Sequence, residues 1–223
     1  MPPRYVDLLG SVHAPLGRDY MLRVTLHDKA ALAEVALRYG QEYFDGPREY
    51  GYGGYRYDGR WRLVAERLIE RYELKTGDSV LDIGCGKGFL LFDLASVLPQ
   101  LHVHGVDISA YAIGESHPSI RPYLEVADLR EWLPACKEKY TLVLAVNVLH
   151  NLHLPDLALA LRHISLIAGR ASYVVTDGYR NEREKMNLLY WQLTCRQFWT
   201  PQEWAWFMAE SGYEGDYSCI FYE

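Results

Sequence analysis

The chain has 223 residues, a formal net charge of −6 and 49% hydrophobic residues. This length fits one good-sized domain, or one domain with an accessory cap, built around a sizeable core. The acidic balance argues against a bulk DNA- or RNA-binding protein, which needs a basic patch. The four cysteines are widely spaced and form no CxxC pair. They predict neither a zinc site nor a disulfide framework. We therefore expect a protein without a bound metal that works in the reducing cytoplasm.

The first residues, MPPRYVDLLG, lack the charged and apolar regions of a signal peptide. No run reaches the roughly 18 apolar residues that a membrane span needs, so we expect no membrane partner. Residues 1–57 precede the regular part of the chain and are interpreted as a helical cap or lid. The main helix of this cap is predicted in HDKAALAEVALRYGQEYF. Residues 58–223 are predicted to form the core.

The core begins with apolar residues at helical spacing from Trp61 to Tyr72, for which Asp58 is a candidate cap. Strands are then predicted in TGDSVLDIGCG, LHVHGVDIS, SIRPYLEVAD, YTLVLAVNVLH and ASYVVTD. Helices are predicted in FLLFDLASVL and from Pro155 to Ala168. Strands that alternate with helices predict an α/β fold, with a parallel sheet covered by helices on both faces.

The C-terminal part is less regular. Residues 178–199 carry mixed charge and large aromatic side chains, and we predict a helical insertion on the substrate side. A helix is predicted in TPQEWAWFMAESGY. Thr200 is its predicted cap, Glu203 stands three residues after the cap, and Gly212 ends the helix. The final segment, DYSCIFYE, is predicted to be an antiparallel edge strand.

The most informative stretch is VLDIGCGKGFLL, which joins a predicted strand to a predicted helix. Gly84, Gly86 and Gly88 allow a ligand to approach the backbone closely. Their spacing is not the G-x-G-x-x-G of dinucleotide-binding proteins, and Lys87 is not followed by the Ser or Thr of a nucleotide-phosphate loop. Asp82 precedes the first glycine by two residues. A carboxylate there is a poor neighbour for a pyrophosphate but a good acceptor for an ammonium group.

Carboxylates also follow the next two predicted strands. Asp107 lies nineteen residues after Gly88, where it can accept hydrogen bonds from both hydroxyls of a ribose. Asp128 can accept one from an adenine amino group. A ligand with an amine, a ribose and an adenine but no phosphates is S-adenosylmethionine. Each aspartate also has a simpler interpretation as a helix cap, and this alternative stays open.

Four motifs in this order resemble those of class I S-adenosylmethionine-dependent methyltransferases across residues 75–178: VLDIGCGKG, VDIS, VADL and LAVNVLHNL. The resemblance implies a Rossmann-like methyltransferase fold with a mostly parallel, seven-stranded-type sheet, and S-adenosylmethionine as cofactor. It also implies a set of cofactor-binding residues. Asp82, Gly84, Cys85, Gly86 and Gly88 would lie at the methionine, Asp107 at the ribose, Asp128 and Leu129 at the adenine, and Asn147 under the sulfonium; Ile108, beside Asp107, belongs to the same set.

The segment just before the first motif, GYGGYRYDGRW, contains four glycines and three tyrosines. In this fold such a segment commonly crosses the cofactor site. We predict a lid whose tyrosines, with Tyr57 as one candidate, pack against the sulfonium and adenine, while Arg60 or Arg56 pairs with the methionine carboxylate. Which of the tyrosines touch the cofactor is left open. The alternative is an aromatic hinge that packs the cap onto the core, and both interpretations can hold together.

The sequence therefore predicts a methyltransferase for a small-molecule acceptor, through a hydroxyl or an amine, such as a sugar or natural-product intermediate. For a hydroxyl acceptor, His150, Asp177 and a tyrosine of the cap are candidate general bases, although His150 could equally be structural. An amine acceptor can instead lose its proton to solvent. The acidic charge disfavours a tRNA or protein acceptor. A regulatory protein that binds S-adenosylmethionine without turnover is a second hypothesis. Oligomeric state is left open, with a homodimer as one option.

Overall fold

The computed structural model describes residues 2–13 and 19–223. Its centre is a seven-stranded sheet, formed by β1 (Arg4–Tyr5), β2 (Ser79–Ile83), β3 (His102–Asp107), β4 (Leu124–Val126), β5 (Tyr140–Val146), β6 (Ala168–Asp177) and β7 (Asp216–Ile220). The strand order is β1-β7-β6-β5-β2-β3-β4, and every neighbouring pair is parallel. The predicted Rossmann-like α/β fold is confirmed.

Helices connect and cover the strands. The described residues contain α1 (Leu22–Thr25), α2 (Lys29–Ala36), α3 (Gln41–Phe44), α4 (Trp61–Tyr72), α5 (Phe89–Val97), α6 (Ala110–Gly114), α7 (Leu129–Ala135), α8 (Leu154–Ile167), α9 (Glu182–Trp191) and α10 (Pro201–Glu210). None of these helices has both the length and the apolar character needed to cross a bilayer. Crossovers of this kind return each strand to the same direction as the one before it.

The core lies on both faces of the sheet. Successive side chains of β5 alternate between them: Leu142 and Leu144 pack with the buried residues of α4 and α5, whereas Val143 packs with α8 and α10. Because β5 is covered on both sides, it is apolar in consecutive positions rather than in alternate ones. The polar residue Asn147 comes directly after its last residue.

The final strand differs from the sequence prediction. We expected an antiparallel edge strand, but β7 is parallel and lies between β6 and β1. The physical reason is that α10 carries the chain back along the sheet before β7 begins, so that β7 repeats the direction of β6. Asp216 then anchors the new edge, because it accepts hydrogen bonds from Arg4, Arg71 and the hydroxyl of Tyr72.

Several helix boundaries also differ from the predictions. The segment 27–44 forms α2 and α3 rather than one helix, because Tyr39 adopts a left-handed conformation with a φ of 48°. The predicted helix in 178–199 ends at Trp191. Asp58 does not cap α4, although its carboxylate accepts a hydrogen bond from the backbone of Arg60. The capping box of Thr200 and Glu203 is confirmed.

The segment before residue 58 contributes more than a cover. Its first strand, β1, joins the edge of the sheet, and α1 to α3 follow within residues 19–57. Residues 1 and 14–18 of the predicted cap lie outside the described residues. The division at residue 57, and the assignment of 178–199 as a substrate-side insertion, stay predictions.

Candidate active site

A glycine loop joins β2 to α5 at the carboxyl end of the sheet. Gly84, Gly86 and Gly88 have φ values of 73°, 55° and 70°, in the left-handed region that favours glycine. A β-carbon on Gly84 would also lie 2.6 Å from the side chain of Val148. All three glycines therefore suit the backbone conformation of the loop. Gly84 also allows close packing against Val148, which lies in the segment after β5.

Two carboxylates flank this loop. Asp82 is 3% exposed, and its Oδ1 has no hydrogen-bond partner among the described residues. Burial, with a smaller contribution from Asp107, raises the pKa of Asp82 to about 8. Asp107 accepts hydrogen bonds from the backbone of Gly86 at 2.7 Å and of Ser109 at 2.8 Å, and burial raises its pKa as well. Cys85 of the loop is also buried, and burial raises the pKa of its thiol. The structure thus brings the predicted loop residues and both aspartates together.

These residues fit S-adenosylmethionine. A buried carboxylate oxygen without a partner is costly, and an ammonium group would satisfy the one on Asp82. Each oxygen of Asp107 receives one backbone N–H, and a carboxylate oxygen has a second lone pair for a ribose hydroxyl. A pyrophosphate would instead meet two carboxylates, which repel it. When bound, S-adenosylmethionine supplies an activated methyl group on a sulfonium.

Three further predicted cofactor-binding residues, Ile108, Asp128 and Leu129, follow β3 and β4. Ile108 is 51% exposed and follows β3 directly. Asp128 caps α7 by accepting a hydrogen bond from the backbone of Arg130 at 2.9 Å, and its carboxylate also pairs with the Arg130 guanidinium. Leu129 is half-buried beside it. The cap that the sequence left open for Asp128 is therefore present, and its contact with adenine stays a prediction.

Asn147 ends β5 in a conformation that is rare outside glycine. Its φ is 60°, and its buried Oδ1 has no hydrogen-bond partner among the described residues. Strained backbone of this kind is concentrated at ligand sites. The predicted place of Asn147 beneath the sulfonium stays a prediction.

His150 and Asp177 form a buried pair. The His150 Nε2 lies 3.3 Å from a carboxylate oxygen of Asp177, and its Nδ1 accepts a hydrogen bond of 3.3 Å from the Asp177 backbone N–H. Asp177 also accepts hydrogen bonds from Gln192 and from the hydroxyl of Tyr222. The two side chains are 1% and 0% exposed. Burial lowers the pKa of His150 and raises that of Asp177.

Cys195 lies beside this pair, and the three residues each offer one ligand atom within 4.8 Å of the others. Both ring nitrogens of His150 are, however, already engaged with Asp177. The Cys195 thiol donates to the backbone carbonyl of Gln197, and burial raises its pKa. A metal would have to displace each of these interactions. The catalytic role assigned to His150 and Asp177 stays a prediction.

An aromatic cover crosses the glycine loop; we use this name for Tyr43, Phe44, Tyr52 and Tyr55. Their rings contact one another at centroid distances of 4.6 to 6.1 Å. A β-carbon on Gly86 would lie 3.6 Å from the ring of Phe44 and 3.7 Å from that of Tyr55. The three tyrosines are half-buried, and burial raises the pKa of all three. The cover therefore packs over the loop beside Gly86.

Asp45 ties this cover to the core. Its carboxylate forms an ion pair of 2.6 Å with Lys87 of the glycine loop and accepts a hydrogen bond of 2.7 Å from the hydroxyl of Tyr111 in α6. It also accepts a hydrogen bond from the backbone of Tyr55. The Lys87 side chain is 6% exposed. Sequence reasoning missed this contact, and its one signal was a lysine between two glycines.

The two residues predicted to reach the cofactor from the lid, Tyr57 and Arg60, have partners within the protein. Tyr57 packs its ring against Phe89 and Phe92 of α5, and its hydroxyl donates to Asp93 at 2.6 Å. The Arg60 guanidinium pairs with Asp58 at 2.5 Å. The cover residues named above, rather than Tyr57, lie against the loop. A contact of Tyr57 or Arg60 with the cofactor stays a prediction.

Comparison with known proteins decides the family. Residues 55–217 match the family model described as a methyltransferase domain. The chain belongs to this family. The resemblance seen in the four motifs is confirmed, with S-adenosylmethionine as the methyl donor of the class.

Trans-aconitate 2-methyltransferase of Pseudomonas paraeruginosa is 36% identical over 110 residues, which cover 48% of this chain and 36% of that protein. The match thus spans about a third of that relative.

Solved structures support the fold. A methyltransferase in complex with the Trm112 methyltransferase activator of Haloferax volcanii superposes with a TM-score of 0.54 at 20% identity, covering 66% of each chain. Mitomycin 7-O-methyltransferase superposes with a TM-score of 0.51 at 15% identity, covering 92% of this chain and 60% of that one. At these identities the likeness concerns the methyltransferase fold alone.

Proposed function

We propose that this methyltransferase-family protein transfers the methyl group of S-adenosylmethionine to a small-molecule acceptor. One observation carries the donor assignment: a glycine loop beside a buried, unpartnered oxygen of Asp82. That oxygen requires a hydrogen-bond donor from the ligand, and the ammonium group of the methionine moiety is one. Asp107 would hold the ribose, and Asn147 would lie beneath the sulfonium.

The aromatic cover over the glycine loop supports a small acceptor. The aromatic cover lies against the glycine loop and is fastened to it through Asp45 and Lys87. A macromolecule would need an open and usually charged approach, whereas this protein carries a net charge of −6. The relative described above is named for a small carboxylic acid, trans-aconitate.

In-line methyl transfer places modest chemical demands on the protein. Its residues must align the acceptor with the methyl group and exclude water. The rings of Tyr52 and Tyr55 are suited to exclude water, and their π faces attract a sulfonium at close range. Asp82 and Asp107 would fix the donor at its two polar ends.

Ligand-dependent thermal unfolding tests the donor assignment. S-adenosylhomocysteine at about 100 times its dissociation constant should stabilise the protein by roughly 2.7 kcal/mol, and NAD should not. A shift with NAD and none with S-adenosylhomocysteine would contradict the proposal. Methyl transfer from labelled S-adenosylmethionine to pooled small metabolites then distinguishes an enzyme from a protein that only binds the donor.

A further inference from the structure

The aromatic cover lies in direct contact with the glycine loop. A β-carbon on Gly86 would meet the rings of Phe44 and Tyr55 at 3.6 and 3.7 Å, which is an ordinary van der Waals distance. The ring of Tyr55 also packs on that of Phe89, the first residue of α5, at a centroid distance of 5.0 Å. A donor that approaches the backbone of Gly86 from this side therefore has to displace the ring of Tyr55.

The chain is held firmly up to the backbone nitrogen of Tyr55. The N–H groups of Gly54 and Tyr55 donate to the carbonyl of Phe44 at 3.1 and 2.8 Å. The N–H of Tyr55 also donates to the carboxylate of Asp45, which pairs with Lys87 of the loop. Several bonds therefore join the cover to the loop on this side.

The attachment is weaker in residues 56–58, which we call the latch segment. In the part of the chain that the structure describes, their backbone N–H groups form no hydrogen bond. Asp58 pairs on the surface with Arg60, two residues away. Gly59 lies between these two with a φ of 77°, and a β-carbon on it would meet nothing within 4 Å. A glycine in open space gives the backbone a place to pivot.

Tyr57 fastens the latch segment to α5. Its hydroxyl donates to the Oδ1 of Asp93 at 2.6 Å, and its ring packs edge-on against Phe89 and Phe92. Tyr57 is nevertheless 46% exposed. This end of the cover is thus held by one hydrogen bond and by a ring that is half in water.

Asp93 is an unusual residue for its position. It lies in the middle of α5, FLLFDLASV, and is 1% exposed. Its Oδ2 has no hydrogen-bond partner among the described residues. Burial of a carboxylate in an apolar helix costs free energy that an apolar side chain would not cost. The interaction that this carboxylate makes is the one with Tyr57.

We propose that the hydrogen bond from Tyr57 to Asp93 is the latch of the donor site. When it opens, the latch segment pivots at Gly59 and frees the ring of Tyr55 to leave the loop, so that the donor enters and the product leaves. The latch controls the rate of exchange and not the affinity, because entry and exit both require it to open. Asp93 is then a positioning residue that acts through Tyr57. This inference rests on the proposed donor site and specifies how access to it is controlled.

The exchange kinetics of S-adenosylhomocysteine test the latch. Tyr57→Phe keeps the ring and its packing on α5 but removes the hydroxyl. We expect the association and dissociation rate constants, measured by stopped flow, to rise together by about 5- to 20-fold, the effect of losing one hydrogen bond. The dissociation constant should change by less than about threefold, because both rate constants rise.

Matched variants separate the latch from a general loosening of the protein. Tyr50→Phe removes a hydroxyl from the same stretch of chain and should leave both rate constants unchanged. Asp93→Asn keeps an oxygen that can accept from Tyr57, so its exchange should stay within about threefold of wild type. Asp93→Leu removes the acceptor within an apolar helix and should accelerate exchange as Tyr57→Phe does. The two changes combined should accelerate it no further, since both break the same bond.

Unchanged rate constants in Tyr57→Phe would overturn the latch, and so would an equal acceleration in Tyr50→Phe. A faster dissociation that is matched by an equal loss of affinity would also overturn it, because Tyr57 would then contact the donor itself. If S-adenosylhomocysteine does not bind the wild-type protein at all, the proposed donor site fails, and the latch fails with it.

Discussion

Removing the charge of Asp45 should loosen the cover and destabilise the whole protein. In Asp45→Asn the side chain keeps its size, but it can no longer pair with the ammonium of Lys87, now 2.6 Å away. The Asp45 carboxylate accepts three hydrogen bonds, from Lys87, Tyr111 and the backbone N–H of Tyr55. The amide of asparagine can accept only at its oxygen, because its nitrogen is a donor, so at least one of these bonds is lost. The ammonium of Lys87 is then left buried without a counter-charge.

The expected loss follows from the exposure of the two partners. Breaking a fully buried ion pair costs about 3–5 kcal/mol, and a charge-assisted hydrogen bond contributes about 1.5–3 kcal/mol. The Lys87 side chain is 6% exposed but that of Asp45 is 23% exposed, so water can partly replace the lost partner. We therefore expect a loss of about 2–3 kcal/mol in the free energy of unfolding. For a chain of this length, that lowers Tm by about 5–10 °C.

Acidity should remove this stabilisation. Desolvation raises the pKa of Asp45, but hydrogen bonds from Lys87 and Tyr111 outweigh it and hold the pKa below its usual value. A carboxylate with a lowered folded pKa stabilises the protein above the unfolded pKa, near 3.9, and loses that effect as pH falls through the folded value. The difference between wild type and Asp45→Asn should be constant from about pH 5 to 8 and shrink below about pH 4.

Denaturant unfolding and calorimetric titration with S-adenosylhomocysteine form the assay. Asp58→Asn is the matched control, because Asp58 pairs with Arg60 in the same segment but is 44% exposed. It should change stability by less than about 1 kcal/mol. Lys87→Met combined with Asp45→Asn should cost less than the two single losses together. The reasoning is refuted if Asp45→Asn is no more destabilising than Asp58→Asn, or if the double variant is strictly additive.

Three further predictions concern the donor site. Because the pKa of free Asp82 is raised to about 8, binding an ammonium group beside it should release a proton at pH 7. Titration of S-adenosylhomocysteine in buffers of different ionisation enthalpy should detect that proton, and Asp82→Asn should abolish it. Asp107→Ala should weaken S-adenosylhomocysteine binding by about 1.5–3 kcal/mol without unfolding the protein, and an unchanged affinity would leave Asp107 as a loop support for Gly86. Limited proteolysis after the exposed Arg56 should be slowed by S-adenosylhomocysteine if the segment orders on the donor; equal rates with and without it would favour a hinge.

Local sequence determined much of the donor site. The glycine loop begins two residues after Asp82, and Asp107 ends the next strand along the chain. Strand ends meet at one edge of any parallel sheet, so Asp82, Asp107 and the loop had to come together. The alternation of strands and helices fixed the fold class for the same reason. The final strand could not be read in this way, because the direction of β7 depends on the path of α10.

Contacts between distant residues were decided only by tertiary structure. The pairing of Asp45 with Lys87 joins residues 42 positions apart, and neither side chain carries a local sign of its partner. Among the tyrosines of one glycine-rich segment, only the folded backbone decides that Tyr55 lies against the loop while Tyr57 turns toward α5. Glycines allow several backbone paths, so composition indicates a cover, and packing selects which rings form it.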